Sequence, residues 1–525
     1  MKENWQEQLH TLLNCDLKEL YPLARSLNRK LEFYVGPTNS GKTYNAMKQL
    51  KQANSGLYLA PLRLLALEGY EDLKASDIDA SLVTGEEQIF DEDAAHVCST
   101  IEMLDFDLDV DVAVIDEVQM LDDNDRGWAW VNAIIGAPAK KVIMTGSVNA
   151  LEAVKKVASY LGEELEVVKH KRKTPLEVME RHTSLDNLSS GTALIAFSRA
   201  DVLKLKQKLQ KKYRVSVIYG NLSPEVRRDE AKRFREGQSD ILIATDAIAM
   251  GLNLPIHTIL FTTDTKFDGI SRRKLTVNEI TQIVGRAGRY GHFEAGLFGA
   301  TRRDVLKHIQ SEYKKPIKTI KPPFKVKINA AQLEGLASHI KTKSLTKTLI
   351  YFAKNMYFSG PFIASNISSM LEASKIVDTR HNLKLEDKYL LAQAPITTKS
   401  PIILQAYQAY IAAVIRKKVC RYRPSITLPK KTEITQRDLL LVEDEVKKIS
   451  LYLWLSYKMP DIFPDHDKAF ILRNSFNSFI EQTLKSNLVQ DRSNNFSKPR
   501  HKDYGDKNNN KKRVYGRRRN KDSFK

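Results

Sequence analysis

The sequence predicts an α/β protein with two tandem parallel-sheet domains, followed by a helical C-terminal domain and a disordered basic tail. Three observations lead there. Short, bounded apolar runs separated by helical stretches fill residues 31–165 and recur over 166–325, the pattern of strands buried on both faces of a parallel sheet. From 326 to 488 strand signals fade and apolar residues return at helical spacing. From 489 to 525 the chain turns to Asn, Lys, Arg, Gly and Ser with scattered aromatics, too polar to bury a core.

The elements follow in order. Residues 1–30 carry a helical preface, with Trp5, Leu9, Leu12, Leu13, Leu20, Leu23 and Leu27 in helical register. In the first domain, Leu31–Val35, Leu57–Ala60, His96–Ser99, Val112–Ile115 and Val142–Thr145 read as strands. In the second, Ala193–Phe197, Val215–Ile218, Ile241–Ala244 and Thr258–Phe261 do so, and Ser223-Pro224 marks a helix start. Between Asp264 and Val277, Asp268-Gly269 is a turn signal that fits either a hairpin or an ordinary loop. In the helical domain the stretch Tyr452–Tyr457 reads as core rather than a base-stacking platform.

Composition narrows the class. With 42% hydrophobic residues the 525-residue chain can build several cores. The net charge of +20 is uneven, with thirteen Lys and Arg against four Asp from Asp491 onward. A basic surface of this kind suits a polyanion, whose counterions are released on binding. Cys15, Cys98 and Cys420 lie far apart with no C-x-x-C pair, which argues against a disulfide framework, a structural zinc and an iron–sulfur cluster. No apolar run approaches a membrane span and the first residues mix acids with bases, so a cytoplasmic protein is expected.

The chemistry starts at Gly36-Pro37-Thr38-Asn39-Ser40-Gly41-Lys42-Thr43, which follows a strand and opens a helix. In that context a G-x-x-x-x-G-K-T loop cradles phosphates with its backbone amides. Lys42 reaches the β- and γ-phosphates and Thr43 holds Mg²⁺. A second signal is the strand Val112–Ile115 ending in Asp116 and Glu117. Adjacent carboxylates there suit Mg²⁺ binding by Asp116 and activation of a water by Glu117. A third lies in the second domain. Read as one helix from Thr276 to Arg289, Gln282, Arg286 and Arg289 fall within roughly 60° of arc opposite the apolar face. Such a face is suited to meet the developing charge on a γ-phosphate across a domain interface.

Taken in order, GPTNSGKT, APLRLLA (60–66), DEVQ (116–119), TGS (145–147), AFSR (196–199), ATDAIAMGLN (244–253) and QIVGRAGR (282–289) resemble superfamily 2 helicases. Asn39, Gln119 in place of the His of DExH proteins, and Ile283 make the chain similar to the Suv-type RNA helicases, the mitochondrial degradosome helicase and its bacterial relatives. The resemblance covers residues 31 to about 310, and LYLWLSYKMPDIFPD (451–465) is similar to that family's C-terminal region.

The resemblance implies two RecA-like domains that close on ATP and Mg²⁺, with Gly251 near the nucleotide. It implies backbone contacts to nucleic acid from Pro61, Arg63, Thr100, Ser198, Arg199 and Thr245, and coupling of hydrolysis to domain movement by Thr145 and Ser147. Gln119 would hydrogen-bond across the interface. The implied activity is ATP-dependent unwinding of RNA, single-stranded or partly duplex, with 3′ to 5′ translocation in RNA processing or decay and an exoribonuclease partner. A DNA helicase or translocase, and an RNA-binding scaffold for a nuclease, are the competing readings.

Overall fold

The computed structural model describes residues 13–490 apart from 251–253, 269–270, 290, 366, 381, 430–433 and 486–488. Gly251, residues 491–525 and the preface positions Trp5, Leu9 and Leu12 therefore lie outside the described residues.

The first domain is built on strands β1 (Lys30–Val35), β2 (Gly56–Ala60), β3 (Ala80–Val83), β4 (Gln88–Ile89), β5 (His96–Thr100), β6 (Val110–Ile115), β7 (Ala139–Gly146) and β8 (Leu165–Lys169). They form one sheet in the order β4-β3-β5-β2-β6-β7-β1-β8, parallel except for the β3–β4 pair. The β2 residues and Ala113–Ile115 of β6 are buried, as continuous apolar runs in a two-sided sheet require. Helices α1 (Lys42–Gln52) and α2 (Arg63–Lys74) follow β1 and β2.

The second sheet comprises β9 (Leu176–Val178), β10 (Thr192–Ile195), β11 (Val215–Ile218), β12 (Ile241–Ala244), β13 (Thr258–Phe261) and, after the hairpin below, β16 (Gly296–Ala300). Its order is β9-β16-β13-β10-β12-β11, parallel throughout. Its helices include α3 (Arg199–Leu209), α4 (Pro224–Arg235) and α5 (Val277–Val284). Ser223 caps α4 by accepting from the Val226 amide, with Pro224 in the first turn, as the sequence predicts.

Three expectations are corrected. Leu165–Lys169 pairs with β1, so the first domain reaches beyond residue 165. Ala80–Val83, Leu176–Val178 and Gly296–Ala300 are strands that the apolar pattern did not mark, being short or carrying Gly, Ser and Glu. The helix expected to run to Arg289 stops at Val284.

The helical region does not keep a core of its own. Phe324, Leu333, Leu349 and Phe352 pack into the core of the first domain. Tyr407, Ile449, Tyr452 and Phe479 pack against one face of the second sheet with Leu194 and Val217. Tyr452 is fully buried and meets Tyr410, Tyr422 and Phe463 edge to face, so this aromatic stretch is core. Helices α6 (Gln436–Lys458) and α7 (His466–Lys485) also carry the charges that hold the three parts together. Arg473 of α7, 2% exposed, lies 3.3 Å from Glu86 of the first domain and 3.1 Å from Glu225 of the second.

On α6, the buried Glu443 accepts from Arg199 Nε at 2.8 and 3.0 Å and from the Tyr219 hydroxyl at 2.7 Å. Burial raises its carboxyl and Arg199 pulls it back down. Removing one partner of such a pair strands the other charge. Glu443→Ala is expected to cost about 3 kcal/mol of stability, read by urea titration; an unchanged midpoint would contradict the assignment.

The turn signal at Asp268 belongs to a hairpin. Strands β14 (Thr265–Phe267) and β15 (Arg272–Lys274) pair antiparallel. Glu279 of α5 holds both, lying 2.9 Å from Arg273 and 3.0 Å from Lys266. It also closes the capping box with Thr276. Although burial opposes ionisation, these hydrogen bonds and charges lower the Glu279 carboxyl from 4.5 to about 2. A carboxyl lowered on folding stabilises above its unfolded value and loses that contribution as pH falls through the folded one. Protection factors of the hairpin amides, rates corrected for intrinsic exchange, should therefore stay high above pH 4.5 and fall as pH approaches about 2; Glu279→Gln should lower them already at neutral pH.

Candidate functional site

Between β1 and α1 the chain makes two left-handed residues, Asn39 at φ 60° and Gly41 at φ 82°. Glycine takes this conformation without penalty and Asn is among the few other residues that tolerate it. The loop wraps the start of α1, where free amides and the helix dipole favour an anion. Lys42 Nζ donates to the Pro37 carbonyl at 2.7 Å, across the mouth of the loop. Burial holds Lys42 below the ordinary lysine value while Glu117 and Asp116 pull it upward.

Asp116, at the end of β6, is buried and saturated with donors. Its Oδ1 accepts from Thr43 Oγ1 at 3.0 Å, from the Glu117 amide at 3.0 Å and from the Thr145 hydroxyl. Its Oδ2 accepts from the Tyr58 hydroxyl at 3.2 Å, and its carbonyl from Trp130 Nε1 at 2.9 Å. Burial and the Glu117 charge push the Asp116 carboxyl upward. Thr43 and Asp116 thus bring two hard oxygen donors together beside the phosphate loop, which fits Mg²⁺ held by few protein ligands and by substrate phosphates. Among the described residues no cluster of three or more His, Cys, Asp or Glu side chains offers an alternative cage.

Glu117 stands at φ 55°, a strained conformation of the kind concentrated at functional sites. Gln119 donates to its carboxylate and accepts from the Ser147 amide at 3.1 Å. Gln119 therefore bonds within the first domain, not across the interface as expected. Thr145 and Ser147 are placed in direct contact with the acidic turn, Thr145 through Asp116 and Ser147 through Gln119.

The arginines arrive differently from the single helical face expected. Gly285 starts a turn after α5 and Gly288 sits at φ 65°. The two glycines end the helix rather than weaken an intact one. Arg286 points into the cleft, with Nη2 3.6 Å from Glu117 Oε1 and its guanidinium donating to the Ala249 carbonyl at 2.6 and 3.0 Å. Arg289 lines a separate cavity with Glu68, Glu71, Arg228 and Arg235, and Gln282 is half-buried on α5.

A seam joins the phosphate loop to this turn. A Cβ on Gly285 would stand 2.8 Å from Thr38 Cβ, and Asn39 Nδ2 donates to the Gly285 carbonyl at 3.0 Å. Arg172, from the segment between the sheets, donates to the Thr38 carbonyl at 2.9 Å, to Gly285 at 2.7 Å, to Thr174 at 2.6 Å and to Ala287. Arg172 carries no signal in the sequence because it lies in the run Lys169-His-Lys-Arg-Lys173, which resembles a solvated basic face.

Of the residues expected to grip a nucleic-acid backbone, Thr100 and Thr245 are buried at strand ends. The Pro61 carbonyl is held by Arg126 at 2.6 Å. Ser198 caps α3. Arg63 pairs with Glu86 and is one-third exposed. Arg199 is corrected: both carboxylate oxygens of Glu443 engage its Nε, so it braces the helical region and is not free for a phosphate.

Comparison with known proteins matches this geometry. Residues 18–170 match the DEXQ-box helicase domain of Suv3, 175–291 the helicase conserved C-terminal domain, and 439–486 the ATP-dependent RNA helicase SUV3 C-terminal domain. The chain is 35% identical over 482 residues to the mitochondrial DExH-box ATP-dependent RNA helicase DExH16 of Arabidopsis thaliana, covering 89% of this chain and 83% of that protein. It is 34% identical to the mitochondrial ATP-dependent RNA helicase SUPV3L1 of Danio rerio, covering 90% of this chain and 66% of that protein. With the mitochondrial SUV3 of Candida albicans the identity is 32%, covering 93% and 71%. These relatives are all named mitochondrial, which overturns the cytoplasmic placement; the mixed charge of the first residues says nothing about where the folded protein works. The motifs, the cleft they line and these matches together make the chain a member of the Suv3 family of ATP-dependent RNA helicases.

Proposed function

We propose that this chain hydrolyses ATP in the cleft between its two sheets and uses the cycle to move 3′ to 5′ along RNA and unwind it. The observation that carries the reading is the approach of Arg286, from the second domain, to 3.6 Å from Glu117 of the first. A site divided in this way is complete only when the domains meet.

Within it the loop amides of residues 36–43 and Lys42 bind the triphosphate. Thr43 and Asp116 would hold Mg²⁺, which would offset negative charge on the phosphates. Glu117 orients the attacking water and accepts its proton as the bond from the γ-phosphorus to ADP breaks. Arg286 stabilises the charge that develops on the phosphoryl oxygens; Gln282 precedes it on α5, and Arg289 lines the separate cavity described above. Arg172 and Asn39 are positioning residues, since they hold the Arg286 turn against the phosphate loop.

RNA passes over the strand ends that carry Pro61, Thr100, Ser198 and Thr245, and a phosphate takes Arg63 from Glu86. Thr145 and Ser147 link the acids to movement of the domains, and closure followed by reopening steps the strand. Action in RNA decay beside an exoribonuclease rests on the family resemblance.

The test is strand displacement on RNA duplexes bearing 3′ or 5′ overhangs, with DNA duplexes of equal length alongside. ATP-dependent unwinding should require the 3′ RNA overhang, vanish in Lys42→Ala and fall about 10²- to 10⁴-fold in Glu117→Gln. Displacement on neither overhang, or stronger unwinding and ATPase stimulation with DNA, would overturn the reading.

A further inference from the structure

A half-open cavity of about 200 Å³ is lined by Glu68 and Glu71 of α2, Arg228 and Arg235 of α4, and Arg289. It exists only where the two domains meet. Its charges are not matched. Glu71 is paired with Arg228 at 3.0 Å, whereas among the described residues the side chains of Arg235 and Arg289 have no ion-pair or hydrogen-bond partner. Glu68 is left facing the unpaired arginines without a direct contact.

Each charge reaches the next. Arg286 acts on Glu68, as do Arg235 and Arg228, and Arg289 feels both Arg235 and Glu68. Arginines thus run from the catalytic turn to the exposed Arg235, the last residue of α4. Burial raises the Glu68 carboxyl to about 7 against their pull, so near neutral pH the one unpaired acid is often uncharged. The cavity then carries between one and two uncompensated positive charges. Its volume suits a tetrahedral oxyanion with a few waters, each water taking about 30 Å³.

We propose that this cavity is a transit site for the inorganic phosphate released by hydrolysis, which pairs with Arg235 and Arg289 on its way out of the cleft. Both arginines belong to the second domain, so the phosphate is held on that side of the cleft, facing Glu68 and Glu71 of α2. The inference rests on the ATPase reading above and adds a residence step between cleavage and release. The same chemistry would also fit a backbone phosphate of RNA.

The experiment uses the full chain with saturating RNA and probes with inorganic phosphate. Cleavage is followed by acid quench in a single turnover, release by a fluorescent phosphate sensor, and product inhibition by added phosphate. Arg235→Gln should raise the inhibition constant for phosphate about tenfold and shorten the lag between cleavage and release. Glu68→Gln should lower that constant and lengthen the lag. In both variants the cleavage rate and RNA affinity should stay within about twofold of the parent. General damage to the fold would not move two variants in opposite directions. The proposal is overturned if both shift the same way, if neither moves, or if Arg235→Gln weakens RNA binding and leaves phosphate inhibition alone. Absence of cleavage in the parent chain would instead refute the ATPase reading.

Discussion

The cleft depends on one guanidinium that belongs to neither sheet. Arg172 binds the Thr38 carbonyl of the phosphate loop with the same Nη1 that binds Gly285, and turns Nη2 toward Ala287. Burial works against its charge, and its hydrogen bonds, worth about 1.5–3 kcal/mol each for a charged donor, offset that cost. The bonded carbonyls flank Arg286 in the chain. A shift of an ångström in such a turn is enough to cost about 10² in rate, so the reach of Arg286 toward Glu117 is set by the seam as much as by its own side chain. Asn39 does the same from the loop side, which gives a physical meaning to an Asn where the bare phosphate-loop pattern allows any residue.

Around the seam, charges decide which parts move together. Arg199 and Glu443 fix the late helices to the second sheet, while early helical residues such as Phe352 share the core of the first. The helical region is therefore divided between the two domains, and any opening of the cleft has to pass through it. Arg473 is the contact most exposed to that motion, since its two carboxylate partners sit on opposite sides of the cleft. Arg63 shares Glu86 with it, so loss of the Arg63 contact would change the charge balance around Arg473.

What was legible in the sequence is what local chemistry fixes. The phosphate loop needs glycine at a left-handed position and a helix after it; both are written within eight residues. The acidic pair ends an apolar strand, and Ser223-Pro224 starts a helix by rules that span one turn. The remainder depends on partners distant in the chain. Gly285 and Gly288 stop a helix that periodicity carries onward, because the turn they make is held by Thr38 and by Gly296. Arg199 looked like a phosphate ligand until Glu443, 244 residues away, was found beside it. Leu165–Lys169 has the look of a new domain's first strand, and only its pairing with β1 assigns it to the first.

The most direct measurement is a double-mutant cycle between Arg172 and Arg286, read as kcat for ATP at saturating RNA. Arg286→Ala alone should lower kcat about 10³-fold or more, and Arg172→Ala alone about 10- to 100-fold. If Arg172 acts by placing Arg286, adding Arg172→Ala to the Arg286→Ala enzyme should cost nothing further, within about twofold. Losses that multiply in the double variant would show that Arg172 acts independently and would contradict the account.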